Sequence, residues 1–70
     1  MKKEDYDGNI IQYLYSLKNE DINEILDELM MSEDLDERMD LADRILTIIQ
    51  LDHPDDYNII EDDVKDLTLN

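Results

Sequence analysis

Seventy residues with 21 acids, six bases and no cysteine describe one small, strongly acidic domain. A chain of this size buries only about 60% of the surface its unfolded form exposes, and without cysteine neither a disulfide nor a thiolate-bound metal can reinforce it. The net charge of −15 excludes nucleic acid and anionic membranes as direct partners and favours basic proteins.

The charge is unevenly placed. Residues 1–18 hold three acids and three bases, whereas residues 19–70 hold eighteen acids and three bases and so carry the whole excess. High charge without Trp or Phe points toward disorder, but 41% of the residues are hydrophobic and they recur with clear period. A folded domain is expected. Met1-Lys2-Lys3 begins like a basic leader, yet Glu4, Asp5 and Asp7 stand where an apolar run is needed, and no run is long enough to span a bilayer. The expected location is the cytosol.

In chain order, residues 1–7 read as a mobile leader and Asp7-Gly8-Asn9 as a turn. Ile10 to Leu17 fits two patterns. Ile10, Leu14 and Leu17 share a helix face, while Ile11, Tyr13, Tyr15 and Leu17 alternate as in a strand. The helical neighbours favour a helix. Lys18-Asn19-Glu20 interrupts, and Asp21 with Glu24 has the spacing of a reciprocal helix start. Ile22, Ile25, Leu26, Leu29 and Met30 then trace an amphipathic helix.

Ser32 supplies an N-cap for the longest helix, with Glu33 and Asp34 at the positive end of its dipole. Along it Leu35, Met39, Ala42, Leu46 and Ile49 draw an apolar stripe, widened by Leu41, Ile45 and Ile48. Asp34 precedes Arg38 by four, as Asp40 precedes Arg44, so both pairs suit helical ion pairing. His53 is driven out of helical geometry by Pro54, which can open a last helix with Asp55 and Asp56 in its first turn. Tyr57, Ile60, Val64 and Leu67 form its face. The fold expected is mostly α, a compact domain of three or four helices over residues 1–70, with a short strand near 10–17 or 57–60 as the alternative.

The sequence carries no catalytic signature. Acid–base catalysis needs two carboxyls in contrasting environments, and these acids lie on polar helix faces. Ser16 and Ser32 lack a nucleophile context, and His53, the one histidine, reads as a turn residue. A calcium loop starting at Asp52 would put Pro54 at the third position, Tyr57 where glycine is required and Asp63 at the twelfth, so it fails as an EF-hand. No cofactor or metal is expected.

Rows of carboxylates on stiff helices can stand in for rows of phosphates. Two acids per helical turn match the charge spacing of a DNA strand, since a turn rises about 5.4 Å and phosphates advance about 3.4 Å. Glu33, Asp36, Glu37, Asp40 and Asp43 form one candidate row. Asp55, Asp56, Asp62, Asp63 and Asp66 form a second, and Asp27 with Glu28 a third patch. The uncharged Ile11, Tyr13, Tyr15 and Leu17 could either join two copies as a homodimer or complete the monomer core.

By size, charge and these rows, residues 19–70 resemble the small acidic DNA-mimic proteins that phages direct against host DNA-binding proteins, above all the inhibitors of the histone-like protein HU. That resemblance implies an inhibitor occupying the DNA-binding surface of a basic host protein in the bacterial cytoplasm. Asp52-His53-Pro54 followed by Ile59-Ile60 also resembles the His-Pro segment of the immunity proteins that neutralise DNase colicins. The alternative is therefore an immunity or assembly protein that meets its partner through apolar helix faces.

Overall fold

The computed structural model describes residues 5–69, which form four helices and no strand: α1 (Ile10–Ser16), α2 (Glu20–Met31), α3 (Leu35–Asp52) and α4 (Pro54–Asp66). Both segments considered as possible strands, 10–17 and 57–60, are helical, with Leu17 as the C-cap of α1. Local β preference yields here because Ile10 and Leu14, four apart, are both buried against the other helices. A strand would send Ile11 and Tyr13 to the opposite face from them.

Each helix is started by a recognisable local device. Gly8 takes a positive φ of 86°, a turn that places Asn9 to accept from the Gln12 amide and cap α1. Lys18, at φ 53°, reverses the chain after α1. The cap of α2 is Asn19, whose side chain accepts from the Asp21 and Ile22 amides. The helix therefore starts at Glu20, earlier than the Asp21–Glu24 spacing suggests. The cap of α3 is Asp34, accepting from the Asp36 amide. Ser32 instead closes α2, with its amide bonded to the Glu28 carbonyl. The last junction is as expected. His53 (φ −136°, ψ 62°) separates α3 from α4, and Pro54 begins α4.

The 18 residues of α3 run about 27 Å between α2 and α4, its principal neighbours, while α1 lies across α2 and α4. Leu41, Ala42, Ile45, Leu46 and Ile49 of α3 are buried against Ile22, Leu26 and Leu29 of α2, Ile60 and Val64 of α4, and Ile10 and Leu14 of α1. Leu35 and Met39 depart from the expected stripe and are exposed. Leu35 opens the helix at one end of the molecule, and Met39 lies about 120° around from Ile45. Met30 of α2 is exposed too.

Polar contacts lock this packing. Arg38, expected to pair with Asp34, sends its guanidinium to the carbonyls of Ser32 and Leu67. It thereby ties the α2–α3 corner to the end of α4 and serves a carbonyl left over at a helix terminus. Tyr6 and Tyr13 pack edge to face with centroids 6.2 Å apart. Tyr13 donates to Asp56 at 2.7 Å and Tyr6 to Asp63 at 2.5 Å. Tyr6 was expected in a mobile leader. It is half-buried and anchored to α4, whereas residues 1–4 lie outside the described ones.

Candidate partner-binding surface

Because most apolar residues of α2, α3 and α4 converge on the core, most acids of these helices lie on the opposite side. On α3, Asp36, Asp40 and Asp43 follow at steps of four and three and are all exposed, within an arc of about 60° facing away from the core. Glu37 flanks them. Arg44 partly offsets the row through its ion pair with Asp40 at 3.2 Å, an exposed contact worth little stability. Glu33 is exposed just ahead of the helix.

On α4 the expected row divides. Asp55, Asp62 and Asp66 are exposed and fall within an arc of about 40°. Asp56 and Asp63 do not belong to that surface. Asp56 is buried under the Tyr13 hydroxyl and Asp63 is half-buried under that of Tyr6. The reason is angular: Asp56 and Asp63 lie on the side of α4 turned toward α1 and the segment before it, about 100° from Asp55 and Asp62 respectively. These two aspartates instead tie α4 to Tyr13 of α1 and to Tyr6 before it.

Burial disfavours the charged form of Asp56, but hydrogen bonding, that from Tyr13 included, and the nearby His53 outweigh it and hold its carboxyl below the ordinary aspartate range. The tyrosines move the other way. Burial, then the carboxylate each one donates to, raises the pKa of Tyr6 and of Tyr13.

The acidic surface of α2 extends beyond Asp27 and Glu28. The twelve residues of this helix contain five acids and no base, and Glu20, Asp21, Glu24, Asp27 and Glu28 are all exposed. Asp21, Glu24 and Glu28 form one wall of a groove of about 510 Å³, with Arg44 and Thr47 of α3 opposite and Ile25 and Ile48 also lining it. The three-and-four spacing of these acids was available in the sequence. What hid the groove was that its other wall comes from α3. Asp27 faces away from the groove and accepts a long 3.4 Å bond from Tyr15.

Of the four residues considered for a homodimer, Ile11, Tyr13 and Leu17 are half-buried and pack against the chain's own core, while Tyr15 is exposed. Among the described residues no three acidic or imidazole groups are placed to share a metal ion, and no helix is long and apolar enough to cross a membrane. The surface thus consists of exposed acids along α2 and α3, with a groove between the two helices, and a shorter row on α4. No protein-family model, characterised protein sequence or solved structure matches this chain.

Proposed function

We propose that this protein is a DNA-mimic inhibitor that occupies the DNA-binding surface of a basic protein, an HU-like nucleoid protein being the favoured target. The observation that carries the reading is the α3 row on its rigid support. Asp36, Glu37, Asp40 and Asp43 are all exposed and span about 10.5 Å of helix, one carboxylate per about 3.5 Å, close to the phosphate advance along a DNA strand. The opposite side of that helix is clamped by five buried residues, so the charges are pre-organised rather than ordered on binding. A target that reads charge spacing and not base edges suits such a surface, and opposite net charges speed the encounter.

The test is competition. Purified HU is bound to a labelled duplex and the protein is titrated in at low salt. Displacement of the duplex is expected, weakened by the triple change Glu37→Gln, Asp40→Asn and Asp43→Asn. No displacement by the native chain, or full potency of the triple variant, overturns the reading.

A further inference from the structure

Met30, Met31, Leu35, Met39 and Leu69 are each more than half exposed. Among the described residues they make up five of the seven large hydrophobic side chains left in solvent. Arg38 shows that they share one end of the molecule. Its guanidinium joins Ser32, next to Met31, to Leu67, two residues before Leu69, and Met39 is its chain neighbour. Burying such side chains is favourable and solitary exposure is common, but a gathered set marks a contact surface. Acids outnumber bases around the set, with Arg38 turned to the Ser32 and Leu67 carbonyls and Lys65 paired with Glu61. Met31 shares a cleft of about 320 Å³ with Glu28, Ser32 and Glu37, and Glu33, Asp34 and Asp36 are exposed around it. Residues 27–37 hold six acids and no base.

We propose that this apolar, acid-rimmed end, formed by the α2–α3 corner and the tail of α4, docks a basic amphipathic helix of a protein partner. Charge selects the occupant. A second copy of the chain would set Glu33, Asp34, Asp36 and Glu37 against their own counterparts, and like charges across a contact oppose association. A helix with one apolar and one Lys/Arg face satisfies both features, covering the methionines while its cations meet the rim. Three unbranched, polarisable methionines suit a surface that adapts to the helix it receives. This end shares Asp36 and Glu37 with the carboxylate row proposed as a DNA mimic, but its apolar side chains are no part of that row, so the two proposals can fail separately.

The probes are two labelled peptides of equal length and charge, one an amphipathic Lys/Leu helix and the other its Lys/Ser counterpart, measured by fluorescence anisotropy at about 0.15 M salt. The Lys/Leu peptide is expected to bind at least about tenfold tighter. Leu35→Gln with Met39→Gln, both exposed and both to a good helix former, is expected to abolish that difference and leave the Lys/Ser affinity unchanged. Circular dichroism checks that the variant keeps its helices. Equal binding of the two peptides, or a difference that survives the double change, overturns the proposal. So does a native dimer in sedimentation that the double change dissociates, since a second copy would then be the occupant. None of these outcomes depends on displacement of DNA from HU.

Discussion

The Tyr13 hydroxyl donates to the buried carboxylate of Asp56 at 2.7 Å across 43 residues of sequence. That bond fastens α1 to the first turn of α4. The parallel contact of Tyr6 with Asp63, two helical turns further along, repeats the device, and the two rings brace each other edge to face. A chain repelling itself with a charge of −15 thus uses two of its acids as internal fasteners, each accepting from a tyrosine hydroxyl.

Removing the donor should be costly. Tyr13→Phe keeps the ring packing and takes one hydrogen bond from a buried charged group, so a loss of about 1.5–3 kcal/mol is expected in urea unfolding. Tyr6→Phe, whose partner Asp63 is less buried, should cost less. Equal, negligible effects of the two changes would remove the fasteners from the account.

Stability should fall at high pH. Tyr6 and Tyr13 have raised pKa values, as does Tyr57, chiefly through its hydrogen bond to Glu61. A raised folded pKa contributes stability that is fully present below the unfolded value of about 10 and is lost as pH climbs above it. Asp56 has the opposite sign: its lowered pKa contributes stability present above about pH 4 and lost as pH falls further. A thermal-unfolding series across both limits checks the pair, and Tyr13→Phe should flatten the alkaline limb.

Among the described bases, Arg38 is the one expected to matter most for folding. Its guanidinium serves two carbonyls on different segments, a forked geometry that lysine cannot reproduce. Arg38→Lys is expected to destabilise by about 1–2 kcal/mol, measured by chemical denaturation. Arg44→Lys, in an exposed pair, should change stability by less than about 0.5 kcal/mol.

Salt should act in opposite directions on folding and on the proposed binding. Screening relieves self-repulsion, so Tm is expected to rise between low and moderate ionic strength. Binding to a basic DNA-binding partner should weaken over the same range. Amide substitution at Glu37, Asp40 and Asp43 should mimic added salt in both respects, slightly raising Tm while lowering affinity. Calorimetry and the HU competition assay, run on the same samples, read the two signs.

The sequence by itself determined the helices and the sign of the surface. The recurrence of Ile22, Leu26 and Leu29 at steps of four and three and of Leu41, Ile45 and Ile49 at steps of four, with Pro54 after His53, is local information, and the structure follows it. The exposed acids on α3 were equally legible, because residues opposite a buried stripe have nowhere to go but solvent. Only the tertiary structure decided which members of a row stay outside. Asp55 and Asp56 are adjacent in sequence, yet about 100° of helix rotation puts one in water and the other beneath Tyr13. The same holds for Ile10–Leu17, whose helix-or-strand ambiguity is resolved by α2 and α4, and for Met39, which its period placed inside and its neighbours left exposed. Periodicity tells which residues share a face. What covers that face is a property of the assembled helices.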